Sequence, residues 1–427
     1  MRVLIVGGGA REHALASRLS GERDAGEIVT APGNPGIAAI SRTIPADLSH
    51  PDELVGIVER EQIDFTVVGP ELPLTLGLAD RLAKKGRLVF GPSAAAARLE
   101  SSKAFAKAFM ARHHVPTARF SVVETAQSAR GALDSGQFSL PVVLKADGLA
   151  AGKGVVIAET RAEAETAIHA AMDERRFGAA GSRLVIEECL SGPEVSFFVV
   201  ADGTRAVSIG AAQDHKRIFD DDRGGNTGGM GAFAPSLLMD EALHDRIMAE
   251  IVTPVIDGMA AEGYPFHGFL YVGLMLTSDG PKVIEFNVRL GDPEAQVLLS
   301  RIDEPLLPLL VAGAAGQLRQ TSCRLGPEKV VGVVIASRGY PDSSQSGCVI
   351  TGIEEAERIP GVSVFHAGTA IHDRKLVTAG GRVLTVVGRG SDFPEAIRRA
   401  YDGVSLISFD GMQYRRDIGR KALLSLS

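Results

Sequence analysis

Short apolar runs alternate with amphipathic segments through the first hundred residues of the chain. In residues 2–6 (RVLIV) four apolar residues follow Arg2 without a break, which is typical of a strand buried on both faces of a parallel sheet. The pattern continues with predicted helices and strands in alternation, at 13–19, 27–30, 50–60, 64–68, 79–85 and 88–90. This alternation predicts an N-terminal doubly wound parallel sheet over 1–102, with ligand-binding loops at the carboxyl ends of its strands.

After residue 102 the apolar pattern changes twice, which divides the rest of the chain into two parts. A helix begins after Ser101 or Ser102, either of which is a suitable N-cap residue. The part from 103 to 330 is predicted to be a larger domain, with a compact βαβ-like unit inserted at about 125–187. From 331 to 427, short strands separated by turns precede a helix, and we predict a separate small α+β domain there. The expected fold class is therefore α/β and α+β multidomain.

Composition and charge argue against several classes of protein but do not indicate a function. The chain has 427 residues, and its 45 Lys and Arg against 52 Asp and Glu give a net charge of −7. No basic tract supports nucleic-acid binding, and no apolar run reaches the roughly 18–20 residues that span a bilayer. Cys189, Cys323 and Cys348 are too few and too dispersed for a structural zinc site or a disulfide framework. We expect a cytoplasmic protein that acts on small molecules; a monomer is compatible with the sequence, which does not determine the oligomeric state.

A lysine-flanked loop of small residues is the strongest local motif. In residues 144–154 (LKADGLAAGKG) a predicted strand ends at Lys145, and glycines and alanines lead through Lys153 into a second strand. Small residues let backbone N–H groups approach phosphate oxygens, and the two lysines add positive charge. The spacing differs from the GxxxxGK[ST] of a Walker A loop. The motif predicts phosphate binding, with a flexible hairpin carrying two solvated lysines as the alternative.

Alternating polar side chains in residues 283–294 (VIEFNVRLGDPE) indicate a metal and phosphate site. On a strand, residues two apart share a face, so Glu285, Asn287 and Arg289 should point the same way. Two oxygen ligands and a cation suit Mg²⁺ with bound phosphate, because Mg²⁺ takes one or two protein oxygens and completes its shell with water and phosphate. An amphipathic strand with a solvated polar face is the alternative.

A polar tetrapeptide and a glycine-rich segment together predict a substrate loop. Residues 214–217 (DHKR) precede five glycines within 224–231 (GGNTGGMG), a composition that argues against a packed helix or strand and leaves a flexible linker as the alternative. His215 is given no catalytic role. The N-terminal run of three glycines fails as a dinucleotide fingerprint, because Glu12 stands where the third glycine of GxGxxG is needed.

In this order, the motifs resemble those of the phosphoribosylamine–glycine ligases, the glycinamide ribonucleotide synthetases of the ATP-grasp superfamily. The resemblance covers essentially the whole chain. The matching stretches are VGGGAREHA at 6–14, APGNPG at 31–36, GPE at 69–71, KADGLAAGKGV at 145–155, DHKR at 214–217, NTGGMGA at 226–232, EFNVRLGDPE at 285–294, HAGT at 366–369 and GGRVL at 380–384. Leu290 stands where the family pattern leads us to expect Phe, an exchange of one apolar residue for another.

The resemblance implies a fold, a reaction and a set of contacts. It implies a central ATP-grasp fold and the ATP-dependent ligation of glycine to 5-phosphoribosylamine in purine biosynthesis, through glycyl phosphate and with Mg²⁺ or Mn²⁺. The residues it places around ATP and the metal are Lys103 and Lys145 (phosphates), Glu187, Glu188 and Leu190 (adenine), Glu194 (ribose), and Glu285 and Asn287 (metal). The residues it implies for the other substrates are Gly9, Asn34 and Glu71 (phosphoribosylamine), Asp214 and Arg289 (glycine and its acyl phosphate) and Lys216, for which it does not decide between the two substrates.

Elementary chemistry agrees with this interpretation. A carboxylate is a poor acyl donor, and its conversion to an acyl phosphate requires neutralisation of charge on the transferring phosphoryl group. Lys145 and Arg289 would supply this charge together with Mg²⁺, and with Asp214, which the resemblance implies, they are the predicted catalytic residues. Because an acyl phosphate hydrolyses in water, we expect a lid, for which the loop at 145–154 is the candidate. A carboxylase or another carboxylate–amine ligase, and a catalytically silent ATP-sensing protein, are the alternatives.

Overall fold

The computed structural model describes residues 1–149 and 154–424. Its first hundred residues form a five-stranded parallel sheet with helices on both faces. The elements are β1 (Arg2–Gly7), α1 (Ala10–Ser20), β2 (Glu27–Pro32), α2 (Pro35–Ala38), β3 (Arg42–Thr43), α3 (Pro51–Arg60), β4 (Phe65–Val68), α4 (Glu71–Thr75), α5 (Leu78–Lys84), β5 (Leu88–Phe90) and α6 (Arg98–Ser101). The strand order is β3-β2-β1-β4-β5.

Strand β1 lies at the centre of this sheet and is buried on both faces, as its unbroken apolar run predicts. Val3 and Ile5 belong to the core that contains α1, whereas Leu4 and Val6 belong to the core that contains α3 and α5. The strand order changes direction between β1 and β4, so the loops that leave these two strands diverge and open a crevice at the sheet's carboxyl edge. The predicted doubly wound parallel sheet is confirmed.

The inserted unit is a four-stranded sheet covered by helices, and all of its strand pairs are antiparallel. Its elements, with the helix that leads into them, are α7 (Lys103–Arg112), β6 (Phe120–Val123), α8 (Ala126–Asp134), β7 (Val142–Ala146), β8 (Val155–Ala158), α9 (Arg161–Ile168) and β9 (Leu184–Glu188). The strand order is β6-β9-β7-β8. Strands β6 and β7 are both antiparallel to β9, which lies between them, so they run parallel to each other and are connected by α8. The expected βαβ-like unit is therefore present in a split form, because apolar periodicity detects an extended segment without revealing which strand lies beside it.

The larger part of the central domain is built on long antiparallel strands. Its elements are β10 (Glu194–Asp202), β11 (Ala206–Asp214), β12 (Arg217–Phe219), β13 (Arg223–Asn226), β14 (Gly231–Ala234), α10 (Glu241–Ile247), α11 (Thr253–Ala261), β15 (His267–Thr277), β16 (Gly280–Asn287), α12 (Glu294–Leu298) and α13 (Leu306–Ala314). Gly231 begins the buried strand β14, so the expectation that the glycine-rich segment holds no packed strand is wrong for this residue. Gly224 and Gly225 lie in β13, which forms an exposed hairpin with β12, where no side chain is needed for packing.

The C-terminal part adds strands to the central sheet and covers them with a helix. Its elements are β17 (Lys329–Ala336), α14 (Ile353–Glu357), β18 (Val362–His366), β19 (Thr369–His372), β20 (Lys375–Thr378), β21 (Arg382–Gly390), α15 (Phe393–Leu406) and α16 (Arg420–Leu424). Strand β14 pairs with both β11 and β17, which produces one eight-stranded sheet in the order β16-β15-β10-β11-β14-β17-β21-β18. The division at 102/103 and 330/331 stays a prediction, with one sheet running across its second boundary.

All three cysteines are free. None of the helices in the described ranges has the length and apolar character that a bilayer crossing requires.

Two buried histidines join the N-terminal domain to the C-terminal strands. His13 on α1 and His366 at the end of β18 are each 7% exposed, and their rings meet edge to face at 5.6 Å. The backbone N–H of His366 donates to Nδ1 of His13 at 2.8 Å, which requires that nitrogen to be unprotonated. Burial lowers the pKa of His13 to about 3, with a contribution from His366, and burial lowers the pKa of His366 to about 4.

These two histidines should make the stability of the protein depend on pH below neutrality. Their folded-state pKa values lie below the unfolded value of about 6.5, so the unfolded chain binds more protons, and stability falls as pH decreases from 6.5 toward 4. Between pH 6.5 and 5 the loss should be about 1.5 kcal/mol for each histidine. We expect His366→Gln to reduce this pH dependence of the urea midpoint, whereas His50→Gln, at an exposed histidine, should preserve it. An unchanged slope in His366→Gln would contradict the assignment.

Candidate active site

The segment that follows strand β16 presents alternating polar and buried side chains, as predicted. Phe286, Val288 and Leu290 are buried in the core, each at most 2% exposed. The residues between them, Glu285, Asn287 and Arg289, are only partly buried. Strand β16 ends at Asn287, and the alternation continues through Arg289. The structure therefore places these three polar side chains on one face, opposite the core.

Four cations surround the Glu285 carboxylate. Burial by itself would raise the pKa of Glu285, but the charges of Lys216, Lys145 and Lys103, with a smaller effect of Arg289, lower it. The carboxylate is therefore ionised at neutral pH. Residues predicted separately from four stretches of sequence are brought together here, and the excess of positive charge suits a polyphosphate.

Lys145 and Lys107 both form an ion pair with the buried carboxylate of Glu187. Nζ of Lys145 lies 3.0 Å from Oε1 of Glu187, and Nζ of Lys107 lies 2.8 Å from Oε2. Nζ of Lys145 also donates to the carbonyl of Ile284 at 3.1 Å, which connects the inserted unit to β16. The Glu187 side chain is thus engaged in ion pairs, so any contact of this residue with adenine would fall to its backbone.

Sequence reasoning missed Lys107, although a signal for it exists. Lys103 and Lys107 are four residues apart on α7, and residues at this spacing lie on the same helix face. Burial lowers the pKa of Lys107 to about 8, against the effect of Glu187. The two lysines therefore lie on one face of α7, where Lys107 is held in its ion pair with Glu187 beside the site.

Asp147 follows strand β7, in the loop predicted to bind phosphate, and its side chain holds the start of α7. Ser102 caps α7 by accepting from the N–H of Phe105 at 3.1 Å, so it is Ser102 that serves as the N-cap. The Asp147 carboxylate accepts from the N–H of Ala104 at 3.0 Å and pairs with Arg183. Nζ of Lys103 donates to the carbonyl of Gly148 at 2.8 Å. Lys153, the second lysine of the motif, lies outside the described residues.

The residues predicted to bind adenine and ribose follow one another along β9 and into β10. Glu188 is paired with Arg119, whose Nε lies 2.8 Å from its carboxylate. Leu190 is half-buried just beyond the end of β9. Glu194 begins β10, and its carboxylate lies 2.6 Å from Nζ of Lys216. This contact joins a predicted nucleotide residue to a predicted substrate residue.

Arg289 connects the central domain to the N-terminal domain through two carboxylates. Its Nε lies 3.2 Å from Glu71 at the start of α4, and its Nη2 lies 2.9 Å from Glu100 on α6. Burial would raise the pKa of Glu71, but Arg289 and Arg11 lower it. Burial raises the pKa of Glu100, which also accepts from the N–H of Val288 at 2.7 Å. Glu100 was not predicted, because nothing in its local sequence distinguishes it from a surface carboxylate.

Gly9 and Asn34 lie in loops at the contact between the N-terminal domain and the rest of the chain. The N–H of Gly9 donates to Glu12 at 2.7 Å, so the acidic residue that excludes a dinucleotide fingerprint instead closes the first turn of α1. The Asn34 amide donates to the carbonyls of Gly8 at 2.9 Å and His366 at 2.8 Å. Both of its N–H groups are thus used within the protein, so its evident role is to hold the loop.

Asp214 and Glu294 form no ion pair within the described ranges. Burial raises the pKa of Asp214, and burial together with the Asp214 charge raises the pKa of Glu294 to about 7. Glu294 accepts from Ser196 at 3.4 Å, and Ser196 in turn lies 3.2 Å from the hydroxyl of Tyr271. Two carboxyls that are unpaired in the described residues, beside Lys216 and Arg289, can meet an amino group. The sequence motif contained Glu294 without indicating a role for it.

His215 is buried and stays without a catalytic role. It is 1% exposed, and neither ring nitrogen has a hydrogen-bond partner among the described residues. Burial lowers its pKa to about 4. Its backbone N–H donates to the carbonyl of Gly231 at 2.9 Å, so the residue supports the glycine-rich loop.

The donor set at the end of β16 fits a hard divalent cation that is held jointly with a nucleotide. Glu285 offers an ionised carboxylate that forms no ion pair in the described part of the chain, and Asn287 offers an amide oxygen. No group of three or more His, Cys, Asp and Glu side chains within residues 1–149 and 154–424 is arranged to hold a metal ion by itself. Two protein oxygens completed by phosphate and water are the arrangement that Mg²⁺ prefers.

Three family models match this chain over most of its length. Models of the N domain, the ATP-grasp (A) domain and the C domain of phosphoribosylglycinamide synthetase match residues 1–100, 101–295 and 330–421. The chain belongs to this family. Phosphoribosylamine–glycine ligases from Xylella fastidiosa (strain Temecula1) and Ralstonia nicotianae are each 47% identical to it over 99% of its length, covering 99% and 100% of their own.

Solved structures agree with the family assignment. A crystal structure of phosphoribosylamine–glycine ligase from Thermotoga maritima has a TM-score of 0.86 and 36% identity, and the match covers 98% of this chain and 100% of that one. A biotin carboxylase from Campylobacter jejuni has a TM-score of 0.73 with 18% identity, over 100% of this chain and 94% of that one, which shows a shared fold. The expected multidomain architecture with an ATP-grasp centre and the expected ATP-dependent carbon–nitrogen ligase class are confirmed.

Proposed function

We propose that this family member joins glycine to 5-phosphoribosylamine through glycyl phosphate, with the side chains described above. The convergence of Lys103, Lys145 and Lys216 with Arg289 around the ionised Glu285 carries the proposal. A cationic site next to unpaired carboxyls suits a reaction between a polyphosphate and an amino acid. We further propose that the protein performs this step of purine biosynthesis in the cytoplasm, on small molecules.

In the first step the γ-phosphoryl group of ATP moves to one carboxylate oxygen of glycine, and ADP leaves. Lys103 and Lys145 neutralise the phosphate oxygens, while Arg289 faces the glycine carboxylate and the group in transfer. Glu285 and Asn287 would hold Mg²⁺ or Mn²⁺, which supplies further positive charge to the phosphates when bound. Asp214 and Lys216 hold glycine on the side of the site opposite Arg289.

In this proposal the adenine and the ribose of ATP lie along β9 and β10. The backbone of Glu187 and Glu188, with the Leu190 side chain, forms the adenine site. Glu194 holds the ribose hydroxyls. The ion pair between Glu194 and Lys216, at 2.6 Å, places the ribose site beside the glycine site.

In the second step the amino nitrogen of phosphoribosylamine attacks the acyl carbon of glycyl phosphate. The new C–N bond forms, inorganic phosphate leaves with one oxygen of the former carboxylate, and the nitrogen loses one proton. The loops that contain Gly9, Asn34 and Glu71 would seat the ribosyl substrate, because Glu71 reaches Arg289 directly. No covalent intermediate with a side chain is needed.

Isotopic labelling of the glycine carboxylate tests this route. With both carboxylate oxygens labelled with ¹⁸O, one labelled atom should appear in inorganic phosphate per turnover, and product should keep the other. Phosphorylation of the ribosyl substrate or of the enzyme would leave the phosphate unlabelled. Reactions that lack glycine, or lack phosphoribosylamine, serve as controls for uncoupled ATP hydrolysis. Unlabelled phosphate in a single turnover would contradict the proposal even if the overall ligation occurs.

A further inference from the structure

The glycine-rich loop at 226–230 is packed directly against the turn that follows Arg289. Gly229 has φ of +111°, and an added Cβ would lie 2.4 Å from Cδ of Pro293. A side chain at this position would therefore separate the loop from the turn. The N–H of Gly228 donates to the hydroxyl of Tyr340, in the C-terminal part of the chain, at 2.9 Å.

A guanidinium from the C-terminal domain bridges the two packed segments. Nη1 of Arg382, the first residue of β21, donates to the carbonyl of Gly228 at 2.6 Å and also to the carbonyl of Asp292. Its Nη2 lies 3.4 Å from the Asp292 carboxylate. Burial would raise the pKa of Asp292, but Arg382 lowers it, so this carboxylate is charged. One side chain thus contacts both the loop and the turn.

Each bridged segment carries one side of the glycine site. The loop supports 214–216, because Thr227 donates twice to the carbonyl of Lys216 at 2.8 Å, through its N–H and through its hydroxyl. The turn contains Asp292, three residues after Arg289 and two before Glu294. The distance between Asp214 and Arg289 therefore depends on how closely the loop and the turn are held together.

We propose that Arg382 is a positioning residue for the ligation, through which the C-terminal domain sets the spacing between the Asp214 side and the Arg289 side of the glycine site. The inference rests on the proposed function, which assigns these two residues to glycine. Arg382 does not touch substrate in this scheme. It acts through Gly228 and Asp292, and a planar donor with several N–H groups is suited to bridging three acceptors at once.

Steady-state kinetics with each substrate varied in turn tests the proposal. We expect Arg382→Gln to raise the KM for glycine and lower kcat, each at least about tenfold, because a small displacement of substrate-holding groups is costly in rate. The KM for ATP should stay within about twofold, since the hydrogen-bond and ion-pair partners of Arg382 in the described part of the chain are Gly228, Gly229 and Asp292, and none of these is assigned to ATP. Arg382→Lys should recover only part of the loss, because one ammonium cannot reproduce the bridge.

Arg338→Gln is the matched control, since Arg338 pairs with Asp410 on the exposed surface of the same domain.

A second variant keeps the test informative if Arg382→Gln folds poorly. Tyr340→Phe removes only the hydroxyl that accepts from Gly228, so it should raise the KM for glycine in the same direction with a smaller effect. An equal rise in the KM values for glycine and ATP, or kinetics equal to those of Arg338→Gln, would overturn the positioning role. Failure of the proposed function is distinguishable, because the unmodified protein would then release no glycine-dependent phosphate.

Discussion

Replacing Glu285 with Gln should lower turnover by at least about 100-fold, with little change in the fold. Glutamine has nearly the same shape but no charge, so it cannot balance the four cations around this position. It also offers a weaker oxygen ligand for a hard divalent cation. The fold should persist because Lys216, Lys145 and Arg289 are each paired with another carboxylate.

Metal binding should be measured together with activity in this variant. We expect the affinity of the enzyme–ATP complex for Mn²⁺, followed by electron paramagnetic resonance, to fall by about 10–100-fold. Glu241→Gln, at an exposed glutamate on α10, is the control for loss of a charge in the same domain. Near-normal turnover of Glu285→Gln at low Mg²⁺ would show that the metal assignment is wrong.

Replacing Lys145 with Ala should lower kcat/KM for ATP by about 100-fold or more, because a buried cation aimed at the phosphate site is lost. The lysine is 6% exposed and is held by Glu187 and by the carbonyl of Ile284. Removal of the Lys145 side chain also leaves the Glu187 carboxylate with its ion pair to Lys107 and without its ion pair to Lys145. Loss of one partner from a buried pair costs about 3–5 kcal/mol when no other partner is present, and the second lysine should reduce that cost.

Lys107→Ala is the matched control that separates catalysis from stability. It removes the other cation from the same carboxylate, so both variants should lose similar thermal stability. Only Lys145→Ala should show the large loss in ATP kinetics, and Lys145→Arg should restore little, because the broader guanidinium differs from the compact ammonium. Equal kinetic losses in Lys107→Ala and Lys145→Ala would contradict a direct phosphate contact by Lys145.

The arrangement along short segments could be predicted from the sequence because it depends on local periodicity. The apolar run at 2–6 indicates a strand with two buried faces, and the structure places its residues in two cores. The alternation at Glu285, Asn287 and Arg289 places three polar groups on one face for the same reason. What the pattern did not reveal is pairing: the two parallel strands of the βαβ-like unit are separated by β9, because the strand order is set by residues elsewhere in the chain.

The sequence by itself determined which segments are strands and helices, which residues carry charge, and which family motifs are present. Only the tertiary structure decided the partners of those charges. Arg289 meets Glu71 and Glu100, and Arg382 meets Gly228 and Asp292, across domain boundaries. The physical reason is that periodicity reports the face on which a side chain lies, whereas the identity of a buried ion-pair partner depends on the packing of sheets and loops that are distant along the chain.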